Sequence, residues 1–226
     1  MDQSDARSEV RSVTADRVLE KLRIDIVTRK ISQDDKIIEN DIAQQFGATR
    51  GSVRSALQAL EREGLIRILP NGRKEVIGFT QKHAQDMYDL RWMIENRAVE
   101  IILEKRTTFF APMLTTVRMI EQSWNIKDPS TDWYALDIDF HRAIVQTAEN
   151  SPLLKAWEIN IPVMYALMQL NTTRGYRENY ILEFYQKHRT LFELIITDNS
   201  KCFEFLRTHI MDAQEISAGV LSGDKG

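Results

Sequence analysis

Residues 37–78 read IIENDIAQQFGATRGSVRSALQALEREGLIRILPNGRKEVIG, and the order of signals in them leaves little choice of local fold. Ile38, Ile42, Ala43 and Phe46 recur at helical spacing and mark the buried face of a first helix. Gly47 follows, a residue that enters the left-handed backbone conformation with no Cβ penalty. Thr49 fits the N-cap of a second helix, whose apolar face is Val53, Ala56, Leu57 and Leu60. Gly64 ends that helix. Leu65, Ile66, Ile68 and Leu69 begin a strand, Pro70, Asn71 and Gly72 make a turn, and Val76 and Ile77 return as a second strand. An upstream helix from Thr14 to Arg29 carries Val18, Leu22, Ile26 and Val27 at the spacing needed to cover the pair.

The second helix has a polar face of a particular kind. Arg50 and Arg54 are four apart, so they share one side of the helix, away from Val53 and Leu57. From Ile42 through Leu60 there is no acidic residue. Phosphates are attracted to a helix N-terminus and to arginine together, and the leading turns of such a helix are what enter a DNA major groove. Two arginines alone could be solvated surface charges. The turn glycine, the acid-free helix and the wing behind it point to a DNA reader.

Bulk charge does not make this argument. The chain of 226 residues has a net charge of −3. Through Gly78 there are 14 basic and 13 acidic residues, and beyond it 16 and 20. The DNA reading therefore rests on local placement of charge. The length allows two domains, and 43% hydrophobic residues supply real cores. One cysteine, Cys202, cannot form an internal disulfide and suits a reducing cytoplasm. No leader pattern and no membrane-length apolar run is seen. Residues 1–12 are polar and charged and read as a flexible arm, residues 13–78 as the winged helix-turn-helix, and 79–226 as a second domain.

That second domain reads as all-helical. Between Gly78 and Gly219 the only glycine is Gly175. Helices are expected over 81–105, 111–126, 131–148, 152–172, 177–197 and 200–218. Asp128-Pro129-Ser130-Thr131 stops one helix and caps the next, and Asn150-Ser151-Pro152 places a capping serine before a proline. Asp198 or Ser200 can cap the last helix. Pro162 should kink or divide 152–172. All four histidines of the chain fall here, and three of them, His141, His188 and His209, have suggestive spacing. Asp137 and His141 stand at i and i+4 on one helix, with His188 and His209 on two others. Three imidazoles and a carboxylate from three helices can hold a divalent transition metal inside a bundle. A histidine on a helix is also commonly a hydrogen-bonded or surface residue, so spacing alone leaves both readings open.

Two resemblances weigh on these readings. Glu39, Ile42-Ala43, Gly47, Thr49-Arg50, Val53-Arg54, Ala56-Leu57, Leu60-Glu61, Glu63-Gly64-Leu65 and Gly72 resemble the winged helix-turn-helix of GntR-type bacterial transcription regulators. That resemblance implies DNA contacts from Asn40, Thr49, Arg50, Ser52 and Arg54, with Asn71 and Gly72 at the wing tip reaching the minor groove. Ser52 stands where the family usually has proline, Ser55 where it has glutamate, and Asn71-Gly72 replaces a commoner Arg-Gly. The segments YDLRWMIENRAVE, LDIDFHRAI, NSPLL, QKHRTLFELIITDNS and LRTHI look like the FCD effector-binding domain of the FadR branch of that family. This implies a metal held by Asp137, His141, His188 and His209, with zinc, nickel, manganese and iron all compatible with the donors.

Together these imply a mainly α protein, a winged helix-turn-helix followed by an all-α bundle. A homodimer would bind a palindromic operator in double-stranded DNA, and a small carboxylate effector would bind at the metal and relieve repression. Arg91 is the candidate second clamp for that carboxylate, or else an ion-pair partner of Glu95 at i+4. No nucleophile–base set argues for an enzyme. A metal-dependent hydrolase with a DNA-binding head and a metal-free acid-sensing regulator are the alternatives.

Overall fold

The computed structural model describes residues 3–33, 35–170 and 178–222. The chain divides into two compact units, Met1–Thr80 and Gln81–Gly226. The first contains α1 (Gln3–Val27), β1 (Lys36–Ile37), α2 (Glu39–Phe46), α3 (Arg50–Arg62), β2 (Ile66–Ile68) and β3 (Lys74–Val76). α1 begins at Gln3, within the stretch expected as an arm. Val18, Leu22, Ile26 and Val27 of α1 and Val53, Ala56, Leu57 and Leu60 of α3 are all buried, and the two helices pack together. Arg23 fixes this pair with a two-pronged bond to Glu63, Nε to Oε2 at 2.8 Å and Nη2 to Oε1 at 2.7 Å.

The turn behaves as the residues dictate. Gly47 takes φ 60° and closes α2, with bonds back to Ala43 and Gln44 carbonyls. Thr49 caps α3, its hydroxyl accepting from Ser52 N at 3.1 Å. The wing differs in one respect from expectation. It is a three-stranded antiparallel sheet in the order β1-β3-β2, with Lys36 opposite Glu75 and Ile66 opposite Val76. Two residues are too few to show alternation, so β1 carried no period-2 signal.

The second unit is helical among its described residues: α4 (Gln81–Glu104), α5 (Ala111–Ile126), α6 (Trp133–Thr147), α7 (Ser151–Met168), α8 (Glu178–Ile196) and α9 (Lys201–Ser222). α6 packs against α4, α5 and α7, which is why ten of its fifteen residues are buried. α9 lies on α4 and α8. Two capping expectations are corrected. Asp132, and not the 128–131 segment, caps α6 by accepting from Tyr134 N and Ala135 N. Asn150, and not Ser151, caps α7 by accepting from Leu153 N. At the head of α9 Asn199 Oδ1 accepts from Lys201 N. Side-chain reach, not residue type, decides which of adjacent candidates serves. Pro162 lies inside an undivided α7, whose buried Trp157, Met164 and Leu167 hold the helix across it. The expected helix ends at 172 and 177 lie outside the described residues.

Candidate functional site

The reader surface is built on α3. Arg50 and Arg54 occupy its first and second turns and both are exposed. Arg54 keeps 64% of its side-chain surface and lies 3.5 Å from Glu39 Oε2. Lys74 of the wing meets the other oxygen of Glu39 at 2.7 Å. That hydrogen bond from Lys74 lowers the Glu39 pKa, against a smaller opposing push from burial. So Glu39 ties the wing strand to the helix that carries Arg54. An ion pair as exposed as that of Arg54 contributes little stability and yields readily to a phosphate.

Asn40, Thr49, Asn71 and Gly72 are exposed as well. Gly72 has φ 79°, and Asn71 Oδ1 accepts from Arg73 N at 3.0 Å, which fixes the wing turn. Ser52 departs from expectation. It is 6% exposed, and its hydroxyl lies 3.0 Å from that of Thr49. Ser52 falls one and two turns before Ala56 and Leu60 on the buried face, so it serves the cap and does not point outward. Arg73, exposed at the wing tip beside Lys36 and Asn40, is a cation the sequence reading missed. Its position next to Gly72 was the available signal.

In the helical unit, Asp137, His141, His188 and His209 converge. Their ligand atoms all lie within 4.8 Å of one another. His141 Nε2 is 3.0 Å from His209 Nε2, and His188 Nε2 is 3.1 Å from Asp137 Oδ1. Asp137 Oδ1 lies 3.7 Å from His141 Nε2 and 3.9 Å from His209 Nε2. With metal–nitrogen bonds of about 2.0–2.1 Å, neighbouring donors sit about 2.9–3.4 Å apart. The shortest separations here have that spacing.

The proton positions point the same way. His188 Nδ1 is 2.6 Å from the Phe184 carbonyl, which can only accept, so Nδ1 carries the hydrogen. That leaves Nε2 as the ring nitrogen turned toward Asp137 Oδ1 and the other donors. Burial drives the His141 and His209 pKa values well below 6.5, which keeps both imidazoles neutral and ready to ligate. Burial alone would raise Asp137, but the Arg91 guanidinium holds it well below the usual carboxylate range. Phe140 sets its edge against His141 and His188, and Phe184 lies 4.1 Å from the His188 ring, so the centre is walled by aromatic carbon. The residues present fit a divalent transition metal.

Arg91 takes the ion-pair arrangement with Glu95, and pairs with Asp137 as well. It is 2% exposed, donates from Nε to Glu95 Oε1 at 2.9 Å, and from Nη2 to Asp137 Oδ2 at 2.9 Å. Its fork is turned to two protein carboxylates. Burial opposes the charge, yet those two carboxylates raise its pKa. Glu95 is fully buried, and burial pushes it up to about 8 against the pull of Arg91. No candidate role was assigned to Glu95 from the sequence beyond pairing with Arg91, because spacing does not reveal burial. Among the described residues no helix is long and apolar enough to cross a membrane.

Comparison with known proteins matches both parts. Residues 14–76 match the family described as bacterial regulatory proteins, gntR family, and residues 86–212 match the FCD domain. The gluconate operon transcriptional repressor of Bacillus subtilis strain 168 is 28% identical over 210 residues, 89% of this chain and 84% of that one. The uncharacterized regulator YdhC of the same organism is 25% identical over 181 residues, 78% of this chain and 77% of its own. Among solved structures, Lar, which controls the agr system of Listeria monocytogenes, superposes with a TM-score of 0.66 at 12% identity, over 93% of this chain and 97% of its own. McbR/YncC of E. coli superposes with a TM-score of 0.62 at 15% identity, over 94% and 99%. At such identities these two structures speak for the fold alone.

Proposed function

The chain belongs to the GntR family of bacterial regulatory proteins and carries an FCD domain; from that premise we propose that this transcriptional regulator is a metal-dependent, acid-responsive repressor. Residues 13–78 read a palindromic operator, and residues 79–226 bind the effector and pair two copies into a homodimer. Asn40, Thr49, Arg50, Arg54, Asn71 and Gly72 meet the duplex, with Arg50 and Arg54 supplying the strongest contacts. A chain of this kind works in the cytoplasm, where its operator is.

Asp137, His141, His188 and His209 would hold a divalent transition metal. Four protein donors would leave one or two open, Lewis-acidic positions on a five- or six-coordinate metal, where a small carboxylate could bind. The observation that carries this reading is the convergence of four donor atoms from three helices in a buried, aromatic-walled centre. A carboxylate bound there must favour one packing of the bundle over another to change DNA affinity. In a dimer facing half-sites about one helical turn apart, a modest change in reader separation disfavours the operator.

The test is operator binding by the metal-loaded protein, titrated with small organic acids. Gluconate is the first to try, because the Bacillus subtilis relative is named for a gluconate operon. An active acid is expected to weaken operator binding at least tenfold, and His188→Ala to abolish the response while leaving acid-free DNA binding intact. If no acid alters DNA affinity while metal is bound, the switch reading fails.

A further inference from the structure

We propose that Arg91 and Glu95 form a positioning brace, which makes Asp137 a one-oxygen ligand and fixes the nitrogen that His141 presents to the centre. The inference rests on the metal reading above and deepens it. Its geometry is a closed loop of contacts between two helices. On α4, Arg91 and Glu95 are one turn apart and joined at 2.9 Å. On α6, Asp137 and His141 are likewise one turn apart. The two pairs face each other: Arg91 Nη2 donates to Asp137 Oδ2 at 2.9 Å, and Glu95 Oε2 lies 2.5 Å from His141 Nδ1.

Each link has a consequence at the donor cluster. Arg91 engages Oδ2, so Asp137 offers Oδ1 to the three histidines, the oxygen that lies 3.1 Å from His188 Nε2. One oxygen and three Nε2 atoms make four donors. A carboxylate free to use both oxygens would fill a further position and leave one fewer for an effector. With Glu95 ionised, its Oε2 accepts the Nδ1 hydrogen of His141, which leaves the Nε2 lone pair directed at the centre. The Arg91 guanidinium carbon also lies 5.8 Å from the Trp157 ring centroid, which closes its outer side.

Burial adds an independent reason. Arg91 and Glu95 are 2% and 0% exposed. Buried ion pairs rarely out-stabilise apolar residues of the same shape, so pure stability is a poor account of this one. Orientation of ligands is what such a pair supplies at low energetic return.

The experiment titrates full-length protein with Co2+ and follows both affinity and visible absorption, which reports coordination number and geometry. Glu95→Ala is expected to lower Co2+ affinity about 10–100-fold. Glu95→Gln, whose amide oxygen can accept the same N–H, should recover most of it. Arg91→Met should change the intensity and position of the Co2+ bands as Asp137 Oδ2 is released, with the circular dichroism of the bundle retained. If Glu95→Ala does not fold, Glu95→Asp serves, since it keeps the charge and withdraws the acceptor by one methylene; a drop in affinity is again expected. Parent protein that loads Co2+ alongside folded Glu95 variants of equal affinity and an unaltered Arg91→Met spectrum would overturn the brace alone. A parent that takes up no Co2+ would overturn the metal reading, and the brace with it.

Discussion

Arg50 and Arg54 sit one turn apart on the same helix yet start from different surroundings. Arg54 rests near Glu39 and must leave it to reach a duplex, while both keep their guanidinium groups in solvent. Arg50→Ala and Arg54→Ala are each expected to weaken operator binding by about 1–3 kcal/mol where the contact is to a base edge. Fluorescence anisotropy at several salt concentrations reads this, and an equal loss on unrelated DNA with a flatter salt slope identifies a phosphate contact instead. Unaltered affinity in both variants would remove α3 as the reader. His141 and His209 give a pH prediction. Their folded pKa values lie well below 6.5, so the neutral, ligating form survives as pH falls through 6.5 and is lost only further down. Metal release followed against pH should therefore have its midpoint below 6.5, and a midpoint at or above it would contradict the assigned environment. Asp137, His141, His188 and His209 stood out as candidate donors because histidine is scarce and Asp137/His141 has helical spacing, and the family resemblance then favoured the metal reading over hydrogen-bonded histidines. The inward turn of Ser52 was legible too, from Ala56 and Leu60 at its own i+4 and i+8, but the resemblance to a DNA-contacting position outweighed it.

At the scale of elements, capping and the turn decide the reader's shape. Thr49 accepts from Ser52 N while Gly47 closes the preceding helix, so the angle between α2 and α3 depends on two residues, separated only by Ala48, with opposite backbone preferences. Thr49→Ala is expected to cost about 1 kcal/mol of stability through the lost cap. Urea denaturation followed by circular dichroism measures it, and a cost near zero would mean that the Thr49 hydroxyl is not engaged in solution. Helix positions in the bundle were legible from apolar periodicity alone, to within a few residues over α4–α9. Caps were less so, because Asp132 and Asn150 each stand beside other residues of capping chemistry and only backbone direction selects among them. The β1 strand was illegible for lack of length. Pro162 shows packing overriding local preference, since a residue that usually breaks a helix is carried through by its buried neighbours.

The whole molecule consists of two compact units with different demands. One needs an exposed cationic helix, the other a dry centre that holds charged donors. Because the proposed metal lies wholly within the helical unit, saturating metal should raise that unit's thermal transition and leave the first unit's transition in place. At free metal a thousandfold above Kd the gain is about 4 kcal/mol, read by calorimetry before and after chelation; an equal shift of both transitions would argue against a site confined to the bundle. The sequence by itself determined the order of elements, the two kinds of domain and the identity of the four donors, because periodicity, turn residues and residue chemistry are local properties. Only the tertiary structure decided that Arg91 faces two protein carboxylates, that Glu95 backs His141, and that a two-residue strand completes the wing. Those outcomes depend on which faces of separate helices and strands meet, and distance across a packed interface is not written in spacing along the chain.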